Sequence, residues 1–394
     1  MKVTVPKQMC EVVEARPRLR LGSRLLADAY AGDGNLLLRA GAEIDSECRL
    51  NRLLQPDVRF GPERSNKIPI DLEREAHLNN ARPTNELDTA EFDKSVSRAL
   101  KIKDEVIRVI TEVFDRIKSL DGVEVRFAER AVSSLVNEML EDPRALVSLT
   151  KLKDADAYTF THSVNVSILA IYLAMHSGLI DDLELIGTAA LLHDIGKMSI
   201  PLSILNKPSA LTSQEQKQIM AHPQMGVDLL KKSGGFPGEI VRAVLDHHEK
   251  YCGIGYPNRR NGSSISRHAR VISIADVYDA LTTDRPYRKA MDPREAMLLM
   301  TGHMSKSFEP VLLKEFVAAV GYFPVGSHVK LTNGCWATVV RNHPAEPLQP
   351  AVQTIRDAQG RATRETTATD LRRKKDVYVQ TFISDDAVEA LRTV

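Results

Sequence analysis

The segment Ile186-Gly187-Thr188-Ala189-Ala190-Leu191-Leu192 is apolar almost throughout, and it runs straight into His193-Asp194-Ile195-Gly196-Lys197. A run of that composition folds only where it is buried. The imidazole and the carboxylate at its end are therefore delivered to one interior spot, where a charge is costly unless something pairs it. A nitrogen and an oxygen donor side by side suit a borderline divalent ion such as iron, manganese or zinc. Lys197, one turn later, can hold a phosphoryl oxygen beside such an ion.

The pair has company. His162 opens His162-Ser163-Val164-Asn165-Val166 and leads into the apolar helix Ile168 to Met175. His222 precedes Pro223, a residue suited to a first helical turn. His247-His248 follow the apolar helix Ile240 to Leu245, and Asp276 lies within the apolar helix Val271 to Asp279. Taken singly, each has a plain structural use: His162 as a helix cap, Asp276 as a partner for Arg270 or Arg285. His176, His268, His303 and His328 have nothing beside them and stay outside the set. Five histidines and two aspartates at helix ends or on apolar faces of one domain are hard to produce by packing alone. Seven ligands exceed what one tetrahedral ion needs, whereas two ions sharing a bridging carboxylate, with Asp194 as the bridge, would use them well. Two such ions hold a bridging hydroxide and neutralise a phosphoester, and Lys197 adds a fixed positive charge. The residues thus lead to metal-dependent phosphoester hydrolysis and leave the ester open.

Around this site the chain divides into zones. Residues 1–80 read as a small strand-rich module, with partial alternation at Arg18 to Leu21 and Ser23 to Tyr30 and a hairpin turn at Gly32-Asp33-Gly34 before Leu36-Leu37-Leu38. A polar stretch with Pro62, Pro69 and Pro83 reads as a linker. Residues 81–145 carry amphipathic helices (Val106, Ile107, Val109, Ile110, Val113, Phe114, Ile117, then Val125 to Leu140). Such helices could serve a homodimer, although packing within the chain is their commoner use. Residues 146–322 are helix after helix and hold all the chemistry. Residues 323–394 form a small β appendage, with strands at Val325 to Leu331 and Trp336 to Val340 about the turn Asn333-Gly334, and a loop from Asp357 to Lys375. The fold class expected is mainly α: an all-α catalytic domain between a β-rich N-terminal module with its helical linker and a β-containing tail.

Lys+Arg 53 against Asp+Glu 52 gives a formal charge of +1, which argues against bulk electrostatic binding to DNA, RNA or a membrane surface. Cys10, Cys48, Cys252 and Cys335 include no CxxC pair, and no signal peptide or membrane-length apolar run is read, so the expected location is cytoplasmic.

The motifs together resemble one family. His162-Ser163-Val164-Asn165, His193-Asp194-Ile195-Gly196-Lys197, Ile200-Pro201 with Ile204-Leu205, His222-Pro223, His247-His248-Glu249, Gly255-Tyr256-Pro257 and the run Ala275 to Ala290 are similar, in order, to the HD-GYP branch of the HD phosphohydrolases over roughly residues 150 to 320. The resemblance implies an all-α domain and a phosphodiesterase that opens cyclic di-GMP to pGpG, and in some members to GMP. It further implies that His162, His193, Asp194 and Asp276 hold one metal, and that Asp194, His222, His247 and His248 hold the other. Iron or manganese is the leading pair, with nickel and zinc as alternatives. It gives Lys197 the scissile phosphate, and Arg285 and Arg288 the ligand phosphates and guanine. Gly255-Tyr256-Pro257 becomes the loop that names the branch, with a role in loop shape and in contact with diguanylate cyclase (GGDEF) domains; Gly255 is expected to supply unusual backbone freedom. Three departures are visible. Tyr158 stands where some members have a Glu that helps bind a third metal, so two metals are expected. Cys252 replaces the usual loop Asp, removing a carboxylate that would fix the loop. Glu309 stands where Asp is usual. Two other functions remain beside the enzyme: a cyclic di-GMP receptor with negligible turnover, and an HD phosphohydrolase acting on another nucleotide such as ppGpp or a dNTP.

Overall fold

The computed structural model describes residues 89–119, 125–151, 158–207, 209–284, 288–363, 368–384 and 387–388, together with five short strands in the first 88 residues. The chain forms two compact units, 1–85 and 86–394.

In the first unit, β2 (Ala29–Tyr30) is the middle strand of a three-stranded antiparallel sheet, flanked by β3 (Leu36–Leu38) and β4 (Arg59–Phe60). The β2–β3 pairing spans the Gly32-Asp33-Gly34 segment expected to turn a hairpin. β1 (Val12–Val13) pairs antiparallel with β5 (Ile68–Pro69). Pro69 is therefore a strand residue rather than a linker residue, in a two-stranded sheet whose open edges tolerate a missing N–H. Pro62 and Pro83, and the expected strand Arg18 to Leu21, lie outside the described residues.

The second unit is built on apolar helices. α1 (Thr89–Ser119) and α2 (Val125–Glu141) each bury one stripe, Val106, Ile110, Val113 and Phe114 on the first and Val132, Leu135 and Met139 on the second. α3 (Pro143–Leu149) starts at Asp142, whose carboxylate accepts the Arg144 N–H, with proline in the first turn. α4 (Tyr158–His176) and α5 (Leu183–Leu192) are apolar around most of their circumference, as central helices must be. A 3₁₀ turn, Ile195–Ser199, follows α5. Next come α6 (Leu202–Leu205), α7 (Ser213–Met220, opened by a Thr212/Glu215 capping box), α8 (His222–Ser233), α9 (Gly238–Asp246), α10 (Arg267–Thr282), α11 (Pro293–Thr301) and α12 (Pro310–Val320). α4 packs on α5, α10 and α12. The buried stripes of α1 and α2 join the same core.

A five-stranded antiparallel sheet follows, in the order β10-β6-β7-β8-β9: β6 (His328–Leu331), β7 (Trp336–Arg341), β8 (Ala351–Arg356), β9 (Thr369–Asp370) and β10 (Val379–Phe382). It has its own core of Phe323, Val329, Ala337, Val339, Val352 and Leu371. The segment Asp357 to Lys375, expected as one loop, is instead partly ordered: it holds β9 and a 3₁₀ turn over Leu371–Arg373. The polar stretch hides one anchor, Leu371, which is buried in the sheet's core, while the Asp370 carboxylate caps the Arg372 N–H. The architecture is thus mainly helical, with small β elements before and after, and no described helix is long and apolar enough to cross a membrane.

Candidate metal centre

Five histidines and two aspartates from separate helices converge. His162 sits inside α4, and His193 caps the C-terminus of α5 with Asp194 next to it. His222 opens α8, His247 caps α9 with His248 following, and Asp276 lies in α10. Six of the seven are buried and His248 is half-buried. Their donor atoms fall into two groups, His162–His193–Asp276 and Asp194–His222–His247–His248, with the atoms of each group within 4.8 Å of one another.

Asp194 belongs to both neighbourhoods. Its Oδ2 lies 3.4 Å from His193 Nε2 and 3.8 Å from His162 Nε2, while Oδ1 lies 3.2 Å from His222 Nε2 and 3.9 Å from His247 Nε2. One carboxylate therefore offers one oxygen to each group. Asp276 closes the ring, with Oδ1 3.2 Å from His162 Nε2 and Oδ2 3.8 Å from His248 Nδ1.

The helix backbone sets the tautomers. The Nδ1–H groups of His193, His222 and His247 donate to the carbonyls of Ala190, Ile219 and Val244, at 2.6, 2.7 and 2.7 Å. A carbonyl can only accept, so Nδ1 carries a proton, and in the neutral, ligating form of each ring the lone pair is on Nε2. The Nε2 atoms of His222 and His247 face each other at 3.1 Å, and with both rings in that form a cation between or beside them would meet two lone pairs. The buried atoms His193 Nε2 and Asp194 Oδ1 have no hydrogen-bond partner among the described residues and lie within the two donor groups. Imidazole nitrogens and ionised carboxylates gathered at one point fit borderline divalent ions, whose binding displaces any proton the nitrogens carry.

The electrostatics agree. Burial, then the neighbouring His248, holds His247 well below the ordinary histidine range, and burial takes His248 down to about 3. Burial works against ionising Asp194 and Asp276, yet Lys197 and His193 around the first, and the His162 hydrogen bond to the second, hold both well below the usual carboxylate range. For His162, burial is overturned by hydrogen bonds to Asp276 and Asp279, and the imidazole is raised to about 9.

Lys197 stands at the rim, its side chain 29% exposed and its Nζ 2.5 Å from Asp194 Oδ2. Gly196, between them, lets the turn touch α8: a Cβ there would lie 1.9 Å from the His222 carbonyl oxygen.

The loop after α9 leans on the cluster. The Tyr256 ring lies 4.8 Å from that of His248 and its N–H donates to the His248 carbonyl, with a cis peptide to Pro257. Burial and then Asp276 push the Tyr256 phenol upward, so it stays protonated. Gly255 was expected to provide backbone freedom. Instead it provides room: a Cβ would lie 2.3 Å from the Lys250 nitrogen and 2.5 Å from the Glu249 Cα, and positive φ falls at Gly253, Arg259 and Gly262 rather than at Gly255. Nor does the loop lack a carboxylate to hold it. Buried Glu249 accepts the backbone N–H groups of Asn258 at 2.6 Å and Arg260 at 2.9 Å.

Arg288 donates from Nη2 and Nη1 to the Ala280 and Leu281 carbonyls, capping α10. Arg270, a candidate partner for Asp276, pairs with Glu309 at 2.5 Å. Arg285 and the side chain of Tyr158 lie outside the described residues. Asp279 escaped notice in the sequence. Its Oδ2 accepts from His162 Nδ1 at 2.7 Å and its Oδ1 from Asn165 Nδ2 at 3.0 Å, which orients the histidine as outer-shell carboxylates do. Its position three residues after Asp276, on the same face of an apolar helix, was the available signal.

Residues 151–312 match the family model described as an HD domain, and residues 328–391 match a KOW domain associated with HD domain. A cyclic di-GMP phosphodiesterase of Pseudomonas aeruginosa is 37% identical over 268 residues, 67% of this chain and 64% of that protein. A 3'3'-cGAMP-specific phosphodiesterase of Vibrio cholerae serotype O1 is 30% identical, over 56% of this chain and 49% of that one. A cyclic di-GMP phosphodiesterase response regulator of Xanthomonas campestris pv. campestris is 33% identical, over 46% of this chain and 49% of that one. The chain thus spans 64% of the first relative and about half of the other two.

Proposed function

Since this chain belongs to the HD-domain family, we propose that it is a metal-dependent phosphodiesterase that opens cyclic di-GMP, using two divalent cations bridged by Asp194. The observation that carries the reading is the Asp194 carboxylate with one oxygen toward each of two histidine groups. His162, His193 and Asp276 would hold one ion of this pair, and His222, His247 and His248 the other. Ions held there supply Lewis acidity to phosphoryl oxygens and acidify water at neutral pH.

The chain's own residues do the rest. Nδ1–carbonyl bonds keep three imidazoles in the ligating tautomer, and Asp279 fixes His162. Lys197 offers its ammonium to a non-bridging phosphate oxygen, a fixed charge where negative charge grows in the transition state. The protonated Tyr256 hydroxyl, held beside His248 by the Glu249-anchored loop, is a hydrogen-bond donor for the nucleotide. Water near neutral pH can protonate the departing ribose oxygen.

A second substrate has specific support, because one relative is named as specific for 3'3'-cGAMP. The test is a product assay on one preparation with cyclic di-GMP, 3'3'-cGAMP, ppGpp and a dNTP. Linear dinucleotide or GMP formed fastest from cyclic di-GMP supports the proposal. Preference for 3'3'-cGAMP moves the substrate assignment, and turnover of ppGpp or a dNTP alone would overturn it.

A further inference from the structure

Lys103 on α1 is only 3% exposed and lies outside residues 151–312, where the HD domain matches. A buried ammonium is costly, and a Leu or Met would fill the same volume without that cost. Its Nζ donates to the carbonyl of Leu149, the last residue of α3, at 2.5 Å. The next carbonyl, Thr150, accepts from Asn165 Nδ2 at 3.1 Å, and the same amide nitrogen donates to Asp279 Oδ1 at 3.0 Å. Asp279 Oδ2 in turn accepts from His162 Nδ1 at 2.7 Å. Hydrogen bonds on two consecutive carbonyls, Leu149 and the half-buried Thr150, thus link α1 through Asn165 and Asp279 to His162. Burial takes Lys103 down to about 8, and the Asp279 carboxylate works against that fall. α1 also packs on α4, on α8 and on the 3₁₀ turn that carries Lys197.

We propose that Lys103 is a positioning residue for the metal centre, pinning the α3 terminus so that Asn165 and Asp279 hold His162 in its ligating orientation. The proposal rests on the metal reading above and extends the site's support to a helix outside the HD domain match. Charge and position predict opposite signs. A nearby ammonium repels a cation, so if Lys103 acted through charge alone its removal would tighten metal binding. If it acts through position, removal loosens binding.

The test is Mn²⁺ titration by calorimetry of the full chain after chelator treatment, with circular dichroism and thermal midpoint on the same samples. Lys103→Met keeps the stem and should weaken Mn²⁺ binding by about 10- to 100-fold, the usual cost of losing outer-shell support. Lys103→Arg should recover most of that loss. A folded Lys103→Met chain that binds Mn²⁺ as tightly as the parent, or more tightly, overturns the proposal. Should Lys103→Met not fold, Asn165→Ser decides: weaker binding supports the relay and parental affinity overturns it. A parent chain that takes up no Mn²⁺ overturns the metal reading, and this proposal with it.

Discussion

Replacing Gly196 with alanine should disable the centre without touching a ligand. Gly196 has no positive φ, so alanine meets no backbone penalty and the effect is steric. The added Cβ would lie 1.9 Å from the His222 carbonyl oxygen, 2.5 Å from the Gly226 nitrogen and 2.8 Å from the His222 carbonyl carbon. All three are backbone atoms, which cannot swing aside as a side-chain tip can. In a close-packed interior the turn and α8 must therefore part by about 1 Å. That movement separates Asp194 from His222, whose donor atoms now lie 3.2 Å apart. Overpacking of this kind costs about 1–3 kcal/mol of stability, and a misplacement of about 1 Å in a reacting assembly costs about 10²-fold in rate. Gly226→Ala is the matched control. Its Cβ would meet Val244 Cγ1 at 3.2 Å and the Gly196 nitrogen at 3.3 Å, displacements of a few tenths of an ångström, and alanine gains about 0.5–1 kcal/mol within a helix. Metal content by plasma mass spectrometry, thermal midpoint and turnover, measured on both variants, check the reasoning. Gly196→Ala with parental metal content and rate would refute it, as would a Gly226→Ala chain damaged as badly.

Three further outcomes follow from the same geometry. Lys197→Ala should keep both metals and lose about 2.7–4 kcal/mol of transition-state stabilisation, seen as lower kcat at unchanged metal content; parental turnover would take Lys197 out of the mechanism. Glu249→Ala leaves two loop N–H groups without their acceptor, so KM should rise while metal affinity stays put, and an unchanged KM would separate the loop from substrate binding. His162 supplies a pH signature: in chelator-treated protein burial would lower it, but Asp276 and Asp279 raise it to about 9, above the ordinary 6.5. Its stabilising contribution is then complete below pH 6.5 and is lost as pH rises through about 9, so the metal-free chain should lose stability over that interval. Because the ligating imidazole must shed this proton, Mn²⁺ uptake at pH 7 should release about one proton per chain, read as a buffer-dependent calorimetric heat; equal heats in phosphate and Tris would contradict it.

How far the sequence could be read depended on distance along the chain. The His193-Asp194 pair, the Pro223 helix start and the helix ends carrying His222 and His247 are local patterns, and the structure gathers their side chains where the apolar runs pointed. Asp279 was less legible, because a carboxylate three residues past Asp276 gains its meaning only when α4 brings His162 within 2.7 Å. Arg270 offered a pairing with Asp276 from α10 itself, yet its partner, Glu309, comes from the start of α12. The Cys252 departure suggested a loop without its anchor, whereas Glu249 reaches forward to two backbone N–H groups across a turn that composition does not display. In the sequence Gly255 suggests dihedral freedom, and what it meets is the backbone of Glu249 and Lys250 folded against it. Leu371 shows the same limit at the other end, since a single apolar residue in a polar stretch is enough to seat it in a sheet.

The proposed turnover of cyclic di-GMP by two ions shared through Asp194 is decided by purifying the chain anaerobically, adding back iron or manganese, and measuring metal stoichiometry and product on the same sample. About two ions per chain are expected, with pGpG or GMP formed in proportion to occupancy, and loss of both in Asp194→Ala. Full occupancy with tight cyclic di-GMP binding and no product would contradict it and make the protein a receptor; undiminished turnover by the metal-stripped chain would contradict it from the other side.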